Sequence, residues 1–284
     1  METDRLKDCL ATSYARLREV ADGDPSVAVP SCPEWTLADL VSHVAHVYLH
    51  KVETMRRGQW PDPWPPEPTG ESPAALLERG YRELEAEFGA RQPSEHALTW
   101  YEPDQTVGFW IRRMTHETLV HGWDAELAVG AASRSVPDDL ALDGITEILV
   151  IFLKWASEQW HDDFADTLSQ GDGSVLVSAG TSNWHVTWDS AGIGVSPVSP
   201  EPWWRLASEA AVETGDLEWL APEFEADTFP TGQRVAEPPR AVVSGTPEAV
   251  LRWLWRRAGD QAIDISGDVA KVAQMRALLQ AATQ

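Results

Sequence analysis

The stretch "MTHETLVHGWDAE", residues 114–126, sets two histidines, two glutamates and an aspartate into what otherwise reads as a helix. Its intervals exclude the zinc-protease pattern H-E-x-x-H. The residue four after His116 is Val120, and the second histidine, His121, comes five later. A helix instead puts Glu117 and His121, four apart, on one face, in a row continued by the apolar Met114, Val120 and Trp110. A carboxylate turned alone toward a helical core is costly unless something compensates it. The rest of the chain has to supply that partner.

The second helix offers one. In "LVSHVAHVYLHK", residues 40–51, His43, His46 and His50 stand at i, i+3 and i+7 and share a face, with Leu40, Val44 and Val47 on or beside it. A divalent metal takes neutral imidazole nitrogens and a carboxylate oxygen together. Two ligands four apart on one helix with a third from a facing helix is workable geometry in a bundle core. Three protein ligands leave one position open, as catalytic zinc sites do. A metal-free reading stays open at this point: Glu117 and His121 pair with each other or with Arg112 or Arg113, and His46 and His50 lie on a solvated edge. His116 is about 140° around the helix from His121, so the two do not meet at one ion.

Working outward, the chain has 284 residues, 43% of them hydrophobic, enough for a real core. The formal net charge of −23 argues against nucleic acid and against anionic membranes, because no basic face exists to meet phosphate. No run approaches the roughly 18 apolar residues of a membrane span, and the charged N-terminus lacks a signal-peptide core, so a cytoplasmic protein is expected. Two cysteines, Cys9 and Cys32, make neither a disulfide framework nor a cysteine-rich zinc site. Helical periods run over 4–22, from Thr36 to about Arg57, from Ser72 and Pro73 to about Gly89, over about 104–128, and onward from Pro137. Thr36 and Asp39 form a capping-box signature, and Ser72 is an N-cap. "GQWPDPWPPEPTGES" can only be a loop. This predicts an antiparallel helical bundle over residues 1–160. After Trp160, "GSVLVSAGTSNWHVTWDSAGIGVSP" reads as short strands. A loop-like region from about Pro200 to Pro239 follows, then strand, helix, strand and helix in "RAVVSG", "TPEAVLRWLWRR", "AIDISG" and "DVAKVAQMRALLQAA". The expected class is α+β, with a smaller α+β domain over 161–284.

"CPEWTLADLVSHVAH" (32–46) and "RRMTHETLVHGWDAE" (112–126) resemble the two metal-site motifs of the mycothiol-dependent maleylpyruvate isomerase family, within the DinB-like superfamily. "VPDDLALDGITEIL" (136–149), "VVSGTPEAVLRWLWRR" (242–257) and "DISGD" (264–268) extend the resemblance over nearly the whole chain, the 200–239 region excepted. The resemblance implies a DinB-like four-helix bundle and a sterol-carrier-like C-terminal domain. It implies a divalent metal, usually zinc, on His43, Glu117 and His121. It also implies mycothiol, a thiol of actinobacteria, with its sulfur near the open metal position, and a small-molecule electrophile as the other substrate. The activity would be thiol-assisted isomerisation or S-transfer. S-transfer or thiol exchange in a secondary-metabolite pathway, and a non-catalytic thiol- or ligand-binding protein, are the alternatives. Asp124, three after His121, is placed to accept from a ligand imidazole. Arg112 and Arg113 are candidates to hold a substrate or thiol carboxylate. Known family members use an arginine of the C-terminal domain; Arg252, Arg256 and Arg257 are the candidates here. Trp60 and Trp64 are placed to cover the mouth of a cleft. The protein is expected to be a monomer or homodimer.

Overall fold

Helix periods and start signals in the first part of the chain translate directly into structure. A computed structural model of the protein describes residues 1–67, 70–198 and 238–283. They form two compact units: Met1–Gly144 with Trp255–Arg257, and Ile145–Leu254 with Ala258–Gln284. The architecture is α+β, a helical N-terminal region and a C-terminal region built on a sheet.

The first unit holds α1 (Thr3–Val20), α2 (Leu37–Arg57), α3 (Pro73–Ala90) and α4 (Val107–Ala128). α2 starts where the capping box puts it. Thr36 Oγ1 accepts from the Asp39 backbone N–H at 3.3 Å, and the Asp39 carboxylate accepts from the Thr36 N–H at 2.9 Å. Ser72 caps α3, with Pro73 in its first turn. α4 begins three residues later than the helical period suggests, because Thr106 is the residue that caps it, accepting from the Phe109 N–H at 3.2 Å. α1 packs on α4, and α2 on α3 and α4. The shared core takes Leu6, Leu10 and Leu17 from α1, Leu40, Val44 and Val52 from α2, Leu77 and Leu84 from α3, and Ile111 and Met114 from α4. Gly80 lets α3 come close to α2: a Cβ there would stand 3.0 Å from the Ala45 carbonyl oxygen. His43 lies beside Glu117 while Lys51 lies beside Trp110, so numbers rise along α2 as they fall along α4, and these two helices run antiparallel.

The break between α1 and α2 holds a small hairpin that periodicity did not predict, β1 (Ala28–Val29) and β2 (Cys32–Thr36). α5 (Asp138–Thr146) runs into a π-helical segment, Glu147–Trp155, followed by α6 (Ala156–Gln159) and α7 (His161–Leu168). The division between the two units falls inside α5, between Gly144 and Ile145, whereas the sequence reading set its boundary at 160. Neither cysteine is in a disulfide.

In the second unit, β3 (Gly173–Ala179), β4 (Ser182–Asp189), β5 (Gly192–Val198), β6 (Ala241–Gly245) and β7 (Asp264–Gly267) form one sheet in the order β5-β4-β3-β6-β7. β3 and β6 pair in parallel, Val175 opposite Ala241 and Val177 opposite Val243; the other neighbours are antiparallel. α8 (Pro247–Leu254), capped by Thr246, and α9 (Val269–Ala282) pack on β3 and β6 and bury Val250, Leu251, Trp253, Met275 and Leu278. The loop-like stretch expected over 200–239 lies outside the described residues, apart from 238 and 239.

Candidate metal centre

α2 and α4 bring together the three residues that their spacing singles out. One ligand atom from each of His43, Glu117 and His121 lies within 4.8 Å of the other two. His43 Nε2 and His121 Nε2 both stand 3.3 Å from Glu117 Oε1. Two ligands about 2.05 Å from a tetrahedral ion are roughly 3.3 Å apart, so these two separations suit zinc-like coordination. The donor set, two imidazoles and one carboxylate, is that of several catalytic zinc sites. The cluster is sunk but reachable: the His43 side chain is 36% exposed, Glu117 16% and His121 13%. Trp35, at the end of β2, lies over both imidazoles, its ring centre 4.7 Å from that of His43 and 6.0 Å from that of His121.

Each donor is held by something else. Asp124, fully buried on α4, has a carboxylate oxygen 3.0 Å from His121 Nδ1. A carboxylate can only accept, so Nδ1 carries a proton, and Nε2, turned toward Glu117 Oε1, is the nitrogen that would bind a metal ion on giving up its own. Asp124 in turn accepts from Ser31 Oγ at 2.5 Å and from Arg257 Nε and Nη2 at 2.8 and 2.7 Å. Arg257 also donates to the Trp255 carbonyl at 2.8 Å. Arg113, itself buried, donates to Glu117 Oε2 at 2.8 Å. The arginine pairing weighed against a metal ion is therefore present, but it occupies Oε2 and leaves Oε1 between the imidazoles. The two readings do not compete.

The electrostatics keep these groups in their charged forms. Burial opposes ionisation of Glu117, yet His121, His43 and Arg113 hold its carboxyl well below the usual range. Burial alone would lower His121; Glu117 and Asp124 outweigh it and raise the imidazole to about 9. Asp124 is likewise held far below the usual carboxylate range, against burial, by His121 and Arg257. Each carboxylate has its own guanidinium, Arg113 for Glu117 and Arg257 for Asp124, and the two together hold the His121 imidazole as a cation, in the place a metal ion would take over.

The remaining predicted residues divide. Arg112 donates to Asp143 on α5, to its Oδ1 at 2.7 Å and its carbonyl at 2.9 Å, and His116 Nε2 lies 2.7 Å from the same Oδ1. His116 thus has its own partner, as its angular distance from His121 required. His46 and His50 do not sit on a bare solvated edge. They pack against Trp64 and Trp60. Ser31, Trp35 and Asp143 carry no sequence signal of their own, and Arg257 was one of three arginines that the sequence could not separate.

The Asp143 pairing sets an acid limit on stability. Burial disfavours its charge, but His116 and Arg112 hold the carboxyl well below its unfolded value of about 3.9. A group lowered on folding stabilises fully above its unfolded pKa and loses that contribution as pH falls toward the folded one. Urea unfolding should give wild type an advantage of roughly 2 kcal/mol over Asp143→Asn at pH 7, shrinking steadily below about pH 4. An advantage that stays constant down to pH 3 contradicts the assignment.

The family model described as the mycothiol maleylpyruvate isomerase N-terminal domain matches residues 6–126, and the model described as the MDMPI C-terminal domain matches residues 139–274. No curated protein sequence matches the chain. Two solved structures align with it: the mycothiol-dependent maleylpyruvate isomerase, at 15% identity and a TM-score of 0.54, and a histidine-to-alanine mutant of that isomerase, at 14% and 0.56. Each alignment covers 95% of this chain and 96% of the other. With one model on each half of the chain and all of His43, Glu117, His121 and Asp124 inside the first, the protein belongs to the mycothiol maleylpyruvate isomerase family.

Proposed function

We propose that the protein is a metal-dependent enzyme that activates mycothiol for thiol-assisted isomerisation of, or S-transfer to, a small electrophile. The observation that carries this reading is the meeting of His43, Glu117 and His121 at ligand separations, inside a chain of this family. A divalent ion held by these three would supply Lewis acidity, bringing a thiol of pKa near 8.5 to its nucleophilic form at neutral pH. The chain's own residues do the positioning. Asp124 fixes the His121 tautomer, and Arg257 and Ser31 fix Asp124. Arg113 takes one oxygen of Glu117 and so aims the other at the imidazoles. Trp35 packs against both imidazole rings. Thiolate addition to a conjugated double bond pushes its π pair into an enolate and leaves a single bond free to rotate; expelling the thiolate re-forms the double bond and completes an isomerisation, while protonation of the enolate keeps the sulfur and completes a transfer.

Proton NMR of the metal-loaded protein with mycothiol and maleylpyruvate tests this. Conversion should require both metal and thiol, with the thiol signal undiminished at the end for isomerisation. Stoichiometric loss of thiol identifies transfer instead. If neither maleylpyruvate nor a panel of conjugated carbonyl compounds changes in a thiol- and metal-dependent way, the proposal fails.

A further inference from the structure

Lys51 and the rings around it have no part in the arrangement above. The Lys51 ammonium stands 3.2 Å from His50 Nδ1 and 4.7 Å from the centre of the buried Trp110 ring. Lys154 has Glu158 at 3.0 Å; Lys51, among the described residues, has no carboxylate at ion-pair distance. Burial pushes its ammonium down to about 8, with Glu117 pulling it back up and Arg113 adding to the fall. At neutral pH it is a half-buried cation that no carboxylate of the described residues meets at ion-pair distance, a condition that an anionic ligand relieves.

The rings beside it form a continuous wall. His50 stacks on Trp60 at 5.7 Å and meets the edge of Trp64 at 5.1 Å, and His46 meets Trp64 at 6.3 Å. Trp60 stands edge-on to Trp110 at 6.4 Å and is 41% exposed. His46 and His50 continue the face of α2 that begins with His43, so the wall leads away from the candidate metal residues. Arg112 and Arg113, the expected anion-binding residues, already hold Asp143 and Glu117.

We propose that Lys51 and the wall of Trp60, Trp64, His46 and His50 form the subsite for the electrophile, and that it takes a flat, apolar, singly charged acid of the aryl or polyene carboxylate class. The carboxylate meets the Lys51 ammonium and the flat body lies against the indoles. One cation without a carboxylate partner matches one carboxylate, and a chain of net charge −23 disfavours a dianion. The assignment of a substrate rests on the reading of His43, Glu117 and His121 as the reactive centre; the binding preference does not.

Calorimetry on the metal-loaded protein with trans-cinnamate, cinnamamide and maleate tests it. Cinnamate should bind on the order of tenfold more tightly than the uncharged cinnamamide and than maleate. Lys51→Met, which keeps the stem and loses the charge, should erase the preference over cinnamamide while leaving metal content and thermal midpoint near wild type. Trp64→Ala should weaken cinnamate and cinnamamide alike. His43→Ala should retain the preference, which separates Lys51 from a metal ion as the carboxylate's partner. Equal binding of cinnamate and cinnamamide, tighter binding of maleate, or a preference that survives Lys51→Met but not His43→Ala overturns the proposal. A wild type that takes up no divalent metal when loaded, yet shows the Lys51-dependent preference, removes the proposed enzymatic reading and leaves the subsite standing.

Discussion

Glu117→Ala protein, purified beside wild type, should carry less than about a tenth of an equivalent of divalent metal where wild type carries about one, and should lose thiol-dependent turnover altogether. Glu117 is the one anionic donor of the three, and its Oε1 stands 3.3 Å from each imidazole nitrogen, at the centre of the donor set. Removing it leaves two neutral nitrogens on different helices, too few to hold an ion against water and buffer. It also takes from Arg113 its carboxylate contact at 2.8 Å, which leaves the remaining charge on this face positive and unfavourable to a cation. His43→Ala should behave alike in elemental analysis, because it removes the only donor that α2 contributes to the cluster. Stoichiometric metal in Glu117→Ala would show that the ion is held elsewhere.

Asp124→Ala should lower stability by about 3–5 kcal/mol in urea unfolding and weaken metal affinity by roughly 10- to 100-fold. Two effects with separate causes are combined here. Asp124 is fully buried and receives two hydrogen bonds from Arg257, whose side chain is 11% exposed; without the carboxylate, that guanidinium is an uncompensated buried charge. The metal effect comes through His121, whose Nδ1 loses the acceptor that sets its tautomer and ring angle. The double variant Asp124→Ala/Arg257→Met separates the two. It should recover part of the stability, because the stranded charge is gone, and none of the metal affinity. Recovery of affinity in the double variant, or an unchanged urea midpoint in Asp124→Ala, would dissociate Asp124 from the site.

The helices of the first unit were legible because their starts are written in local chemistry: Thr36 with Asp39, Ser72 with Pro73, and the apolar rows behind them. The approach of His43 to Glu117 and His121 was legible for a similar reason, since two faces defined by residue spacing had to find each other inside a bundle. The hairpin of β1 and β2 was not, because strands of two and five residues leave no usable alternation. Nor does the apolar run "EILVIFLKW" distinguish an α-helix from the π-helix it forms. Asp124 could be placed near His121 by counting along α4, but not its burial, because that depends on Ser31 and on Arg257, far away in the chain. Lys51 carries no signal in the spacing, which singles out the histidines before it; that no carboxylate among the described residues reaches it is a three-dimensional fact.

Arg257 neutralises Asp124 from 133 positions downstream. A gene fragment ending at residue 160 would therefore leave that buried carboxylate with His121 and Ser31 but without its guanidinium. The first compact unit is completed by three residues encoded far downstream, Trp255–Arg257, so truncating the gene before them is expected to cost that unit stability as well as removing the sheet.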